Sequence, residues 1–169
     1  MINRERSLEV KEIYDRQVDR VYRTAMIYTK NPHDAEDVVQ SVFCTIIAKG
    51  ISFESEEHER AWCILAAKNK CKDMFKSSWR SKVDLKESAE QLSTNAEGAE
   101  DNKGAWTQTQ DNLREAQKVL MMLPADQREI VYLHYYEGYT LKEISEMLDV
   151  KESKLRSALA SAKRAIRSV

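Results

Sequence analysis

Between residues 68 and 82 the chain sets Lys68, Lys70, Lys72, Lys76, Arg80 and Lys82 against a single acid, Asp73. The lysines at 68, 72 and 76 recur every four residues, a helical spacing that lines one face, and Trp79 and Arg80 follow. Such a stripe binds rather than catalyses: cations track phosphates while rings stack on unpaired bases. A second basic set, Arg156, Lys163, Arg164 and Arg167, closes the chain with no acid among its members. Neutralised phosphates release counterions, so local charge of this kind suits nucleic acid. Bond-making chemistry has no comparable candidates. No glycine-rich phosphate loop, nucleophile motif or metal-ligand cluster stands in the sequence, and an enzyme, a cofactor and a metal are therefore not expected. Acid–base pairs are abundant, but they fall on helix faces beside Lys or Arg, as solvated pairs do.

The elements that must carry these residues are helices. Glycine and proline are scarce, four and two in 169 residues, and no strand-like alternation of useful length appears, so the fold class is all-α. In the last third, Pro124, Asp126 and Glu129 read as a helix start with a capping box. Ile130, Val131, Leu133 and Tyr136 ride that helix until Gly138 stops it. Thr140 opens the next helix, with Glu143 completing a second capping box. Leu141, Ile144 and Leu148 share its buried face, and Asp149 and Val150 make a turn. The last helix places Leu155, Leu159, Ala162 and Ile166 on one stripe and shows Lys154, Ser157 and Arg164 on the other. Two helices across so short a turn form a helix-turn-helix, a device that lays one helix in a DNA major groove. A plain three-helix bundle with a solvated basic face has the same pattern; the run of cations after Leu155 favours DNA.

At the other end, a first helix carries Tyr14, Val18, Val21, Tyr22, Ala25 and Met26 on one face and ends near Asn31. Asn31 caps a second helix with Pro32 at its first position, where a missing N–H costs nothing. Asp34, Glu36 and Asp37 crowd its opening, favourable against the helix dipole, and Val38, Val39, Val42, Phe43, Ile46 and Ile47 form its buried side. A third helix spans about Glu57 to Arg80 with Trp62 in the core. Between the two ends, residues 84–112 hold Asp84, Glu87, Glu90, Glu97, Glu100, Asp101 and Asp111 against Lys86 and Lys103. The net charge of −1 thus hides an acidic tether between two mildly basic ends.

Read together, these strings resemble the extracytoplasmic-function (ECF) sigma factors, the small group of the sigma-70 family. Leu123, Pro124, Gln127, Arg128, Glu129, Gly138, Ile144 and Leu148 sit where the family's C-terminal DNA-binding pattern wants them. Independently, "VYRTAMIYTKNPHDAEDVVQSVF" is similar to its polymerase-binding segment and "ERAWCILAAKNKCKDMFKS" to its promoter-melting helix. The resemblance implies two small helical domains joined by a flexible acidic linker: residues 1–82 as region 2, 83–112 as linker, and 113–169 as region 4, a strandless helix-turn-helix of the winged-helix-like class. It implies that Asp34, Glu36, Asp37 and Gln40 dock the clamp helices of RNA polymerase. Asn69, Lys72, Asp73, Lys76, Trp79 and Arg80 would then engage the melted −10 element, and Ser153, Lys154, Arg156, Ser157, Lys163 and Arg164 the duplex −35 element. The segment from Gly50 to Glu57 falls where the family captures a flipped −10 base, although Glu54, Glu56 and Glu57 make it acidic.

Departures lie mainly in the last helix. Lys151 stands where a small hydroxyl cap is usual, and Ala158 where an arginine often follows the serine, so DNA shape is expected to contribute to −35 reading. Leu65 likewise replaces a usual arginine. The implied partners are core RNA polymerase, promoter DNA and an anti-sigma factor, with a monomer when free. Two other readings fit part of the pattern: a helix-turn-helix regulator that recruits no polymerase, and a sigma-derived protein-interaction module without initiation activity. With no apolar run near the roughly 20 residues a bilayer span needs and a charged start, the chain is expected in the cytoplasm. Cys44, Cys63 and Cys71, odd in number and unpaired in spacing, are expected as reduced thiols. His33, His58 and His134 read as incidental.

Overall fold

The computed structural model describes residues 3–84 and 117–168, and side chains within 3–76 and 117–168. Every regular element among them is helical. The chain divides into two compact units, Met1–Asn102 and Lys103–Val169. The acidic segment from residue 85 to 112 lies outside the described residues.

In the first unit, α1 (Arg4–Thr29) is 26 residues without glycine or proline. Ile13, Gln17, Val21, Thr24 and Ala25 are buried at spacings of three and four, which is the face a helix must bury. Tyr14, expected on that face, sits at its rim, 43% exposed, with its ring edge-on to Phe43 at 4.8 Å. The helix ends where Lys30 turns left-handed at φ 54° and donates its N–H to Met26 O. α2 (Pro32–Lys49) starts as its sequence dictates: Asn31 Oδ1 accepts from the N–H groups of His33 (2.9 Å) and Asp34 (3.3 Å), and Pro32 holds the first position. Val38, Val42, Phe43 and Ile46 face inward, whereas Ile47 lies out, 42% exposed. Gly50, left-handed at φ 60°, closes the helix. α3 (Glu56–Asp84) outruns its expected span at both ends. Ser55 caps it, its Oγ accepting from His58 N–H at 3.1 Å. That cap shortens the expected Gly50–Glu57 loop to the turn over 51–55.

One core joins the three helices. Ala25, Ala35, Cys63, Ala67 and Cys71 are fully buried and small, so the backbones approach closely, while Ile13, Val42, Phe43 and Ile46 fill the space between. Burying a side chain such as Ile46 contributes about 1.5–3 kcal/mol. Trp62 packs against this core, half-buried, with its ring 5.5 Å from Phe53.

In the second unit a helical segment over 117–122 precedes α4 (Ala125–Val131). Here the expected capping box fails. Pro124 is the cap residue and makes no side-chain cap bond, and Asp126 lies in the first turn as a carboxylate near the helix dipole. Arg128 is buried instead, donating from Nε to Leu120 O and from Nη2 to Leu123 O, which ties the preceding segment to α4. The helix then widens into a π turn, Tyr132–Tyr136, marked by Glu137 N–H on Tyr132 O at 3.0 Å. Tyr132 and Tyr139 are buried and Tyr136 is 45% exposed, the reverse of a regular helix carrying Tyr136 inward. Tyr132 donates its hydroxyl to the buried Glu137 carboxylate at 2.6 Å, and His134 Nδ1 lies 2.8 Å from Tyr139 O.

α5 (Leu141–Leu148) has the expected capping box in full: Glu143 N–H on Thr140 Oγ1, and Thr140 N–H on Glu143 Oε2, both at 3.1 Å. Asp149 is left-handed at φ 54°, a region its short polar side chain tolerates. Ser145 Oγ donates to Val150 O at 2.6 Å and fixes the turn. α6 (Glu152–Arg167) buries Leu155, Leu159 and Ala162; Ile166, expected with them, is 38% exposed.

Candidate polymerase and nucleic-acid interfaces

The acidic residues at the start of α2 sit on a well-anchored helix end. Asn31 and Pro32 fix the first turn, and Ala35 and Val38 plug it into the core at 0% exposure. That leaves Glu36, Asp37 and Gln40 exposed on one face, i, i+1 and i+4, while Asp34 is half-buried beside them. The group therefore presents negative charge to solvent from a rigid mount, a form that suits a basic protein surface.

On α3, Asn69, Lys72, Asp73 and Lys76 are all exposed and fall at i, i+3, i+4 and i+7, so the structure brings these four onto one stripe. Lys68 does not join them as its spacing suggested: it is 9% exposed. The side chains of Trp79 and Arg80 lie outside the described residues. Phe75, which sequence reasoning passed over, is an exposed aromatic one residue before Lys76, 48% open to solvent. Its signal was present, since an aromatic flanked by cations is what a single-strand surface uses.

On α6, Ser153, Lys154, Arg156, Ser157, Lys163 and Arg164 are exposed. At about 100° per residue, Ser153, Ser157 and Arg164 stand opposite Leu155, Leu159 and Ala162, with Lys154 on one flank of that stripe and Arg156 and Lys163 on the other. Lys151 caps nothing with its side chain. Arg156 pairs with Glu152 across one turn at 3.4 Å, Arg164 lies 3.4 Å from Ser161 Oγ, and Lys163 Nζ sits 5.9 Å over the Tyr135 ring.

A buried ionic cluster in the first unit has no counterpart in any sequence pattern. Glu59, 4% exposed, accepts from Arg16 Nε (3.0 Å) and Nη2 (2.8 Å) and from Gln17 Nε2 (2.8 Å). Burial opposes its charge, but the hydrogen bonds from Arg16 and Gln17 and the Arg16 charge prevail and hold the carboxyl below its ordinary range. The same bond raises Arg16. Cys63 and Cys71 are free and buried, and burial pushes both thiols up to about 12, with the charge of Glu59 adding for Cys63 and that of Asp34 for Cys71. Cys44 is free and exposed. Among the described residues no group of His, Cys, Asp and Glu could hold a metal ion, and no helix is long and apolar enough to cross a membrane.

Comparison with known proteins places both units. Residues 13–81 match the family model for sigma-70 region 2, and residues 113–166 that for sigma-70 region 4. The ECF RNA polymerase sigma factor SigM of Bacillus subtilis is 23% identical over 164 residues, covering 96% of this chain and 95% of the relative. SigX of the same organism is 21% identical over 145 residues, covering 86% and 75%. SigK of Mycobacterium tuberculosis is 23% identical over 158 residues, covering 93% and 83%. Among solved structures, the sigma factor RpoE of Bartonella quintana, in complex with the anti-sigma factor NepR, has a similar fold, with TM-score 0.62 at 21% identity over 95% of each chain. CnrH in complex with the cytosolic domain of CnrY gives TM-score 0.58 at 17% identity, over 94% of this chain and 85% of CnrH. With regions 2 and 4 both matched, in that order, the chain belongs to the sigma-70 family, in its extracytoplasmic-function group of RNA polymerase sigma factors.

Proposed function

We propose that the chain works as an ECF sigma factor through the three surfaces described above. Its family membership makes it a non-catalytic initiation factor whose partners are core RNA polymerase and promoter DNA. In our reading residues 1–82 bind polymerase and the −10 element, 113–169 bind the −35 element, and 83–112 link them. Asp34, Glu36, Asp37 and Gln40 meet the polymerase clamp. Asn69, Lys72, Asp73 and Lys76, with Trp79 and Arg80, follow the unpaired −10 strand, and the 51–55 turn captures a base. Ser153, Lys154, Arg156, Ser157, Lys163 and Arg164 face the −35 duplex. Polymerase supplies the catalysis; this chain supplies promoter choice and holds unpaired bases, which favours the open complex. The sigma factor RpoE, solved with the anti-sigma factor NepR, supports an anti-sigma factor as a further partner here. A cytoplasmic site of action follows from the same function.

The observation that carries this reading is the exposed Glu36–Asp37–Gln40 face on an anchored helix, within a matched region 2. A DNA-binding regulator that recruits no polymerase has no use for it. Run-off transcription from a random promoter library, with purified core polymerase and this protein, tests the whole proposal. New transcripts sharing two spaced motifs support it; core binding without any promoter-dependent transcript refutes it. Asp37→Arg reverses charge at an exposed site and should weaken core binding on the order of tenfold or more, since like charges now face each other. Unchanged affinity with a native circular dichroism spectrum would remove α2 from the clamp interface.

A further inference from the structure

The turn between α2 and α3 is gripped from outside by the first helix. α2 ends with Gly50 N–H on Ile47 O at 3.3 Å and Ile51 N–H on Ile46 O at 3.1 Å, the paired bonds of a Schellman turn. Arg6, forty residues earlier, adds a third hold. Its Nη2 donates to Ile51 O at 2.6 Å and to Ile46 O at 3.3 Å, and its Nη1 donates to Glu9 Oε2 at 2.9 Å. One guanidinium, its side chain 22% exposed, therefore joins the last turn of α2 to Ile51, the second residue after it. At the far end of the turn, Ser55 caps α3, Phe53 lies against His58 and Trp62, and Glu59 fastens the first turn of α3 to Arg16 and Gln17. Thus α1 holds Ile51 directly, and through Glu59 it holds the first turn of α3, which Ser55 caps. Ser52 and Glu54 remain exposed between the two anchors. Five residues held in this way have little conformational freedom left to lose when a ligand binds.

We infer that Arg6 is a positioning residue for −10 recognition: it holds the 51–55 turn in its base-capturing shape while touching neither DNA nor polymerase. This rests on the reading of that turn as a −10 reader. Arg6 lies before residue 13, where the region 2 match begins, so this hold on the turn comes from outside the matched segment. A role as a helix cap alone would lower stability and leave base preference as it was.

The test assembles holoenzyme from core polymerase and the full chain, and selects bound molecules from a random pool of short single-stranded DNA. Three variants are compared with wild type: Arg6→Met, which keeps the stem and removes the donors; Arg6→Lys, which returns a donor; and a Ser52→Ala/Glu54→Ala double variant of the turn itself. Wild type should prefer one base at the captured position, and both Arg6→Met and the turn double variant should lose that preference on the order of tenfold. Core affinity should stay unchanged, and Arg6→Lys should regain part of the preference. Full preference in Arg6→Met, with loss in the turn variant, overturns the role of Arg6 alone. So does a loss in Arg6→Met spread evenly over all positions. Full preference in the turn variant overturns the turn as −10 reader as well. A measurement on wild type stands apart from any folding defect in the variants: backbone order parameters of 51–55 in the free protein should match those of α2, about 0.85, and values below about 0.6 overturn the proposal.

Discussion

Replacing Glu59 by glutamine should separate the charge of that residue from its shape. Glu59 Oε1 accepts from Arg16 Nε and Gln17 Nε2, and Oε2 from Arg16 Nη2. A glutamine oxygen can keep the first pair, but its amide nitrogen then points a donor at the Arg16 Nη2 donor. One charge-assisted bond is lost and the ion pair with it. Stranding a buried charge would cost more, but the Arg16 side chain is 41% exposed and can turn to water. The net loss should be about 1.5–3 kcal/mol at neutral pH. Its pH dependence follows from the direction of the Glu59 shift. The folded carboxyl titrates below its ordinary range, while the unfolded one titrates at about 4.3. The stabilisation is therefore full above about pH 4.3 and is lost as pH falls through the folded value. Urea titrations of the full chain by circular dichroism, with the second unit's transition as internal reference, measure the gap between variant and wild type. The gap should narrow below about pH 4. A gap of the same size at pH 7 and pH 3, or one under about 0.5 kcal/mol at pH 7, would show that the Glu59 charge does not hold α1 to α3.

Three further outcomes can be checked on the same two units. Lys154→Glu with Arg156→Glu should weaken −35 duplex binding and flatten its salt dependence; equal slopes for variant and wild type would take α6 off the DNA. Thr140→Ala removes half of a complete capping box and should destabilise the second unit by about 1 kcal/mol, read as a shifted urea midpoint for that unit alone. Thiol titration at pH 8 should modify exposed Cys44 readily while Cys63 and Cys71, buried with thiols pushed up to about 12, react only on unfolding; three equally fast thiols would contradict the buried core.

Local signals were legible because their causes are local. Asn31–Pro32 and Thr140–Glu143 each satisfy orphan helix donors within three residues, and the structure forms both as the sequence implies. Gly50 and Asp149 end helices through the left-handed conformation, again a property of single residues. Legibility stopped where the partner is remote. Arg6 with Ile51, and Arg16 with Glu59, pair across more than forty residues, and no spacing rule announces them. The π turn defeated the helical period for a related reason. One extra residue between Tyr132 and Tyr136 rotates everything after it, so Tyr136 turns outward while Tyr139 is buried. The capping box read at Asp126 failed because Pro124 takes the cap position, earlier than a cap at Asp126 requires. Site residues followed the same division: stripes set by helix period came together, but Lys68 shows that period alone does not fix which way a cation faces.

The geometry of α6 bears on how such a thin recognition surface can still choose a promoter. Contacts to phosphate position a helix, and contacts to base edges specify sequence. Among the exposed polar residues, the first half of the helix offers Ser153, Lys154, Arg156 and Ser157, and the second half Lys163 and Arg164. Only Arg156 in the first half carries a guanidinium fork, the group that reads guanine through two hydrogen bonds. In the free chain that fork leans on Glu152 at 3.4 Å, both side chains well exposed, a pair worth only about 0.3–0.5 kcal/mol. On the proposed reading, DNA takes Arg156 from Glu152 at little cost. Lys163 and Arg164, two turns on, have the charge to hold the backbone in register. On the proposed reading, then, Ser153, Lys154, Arg156 and Ser157 carry most of the −35 contact, with Arg156 the one bidentate donor among them. Ala158 and Ala160 add little to it, and the remaining discrimination falls to DNA shape and to the region 2 surfaces.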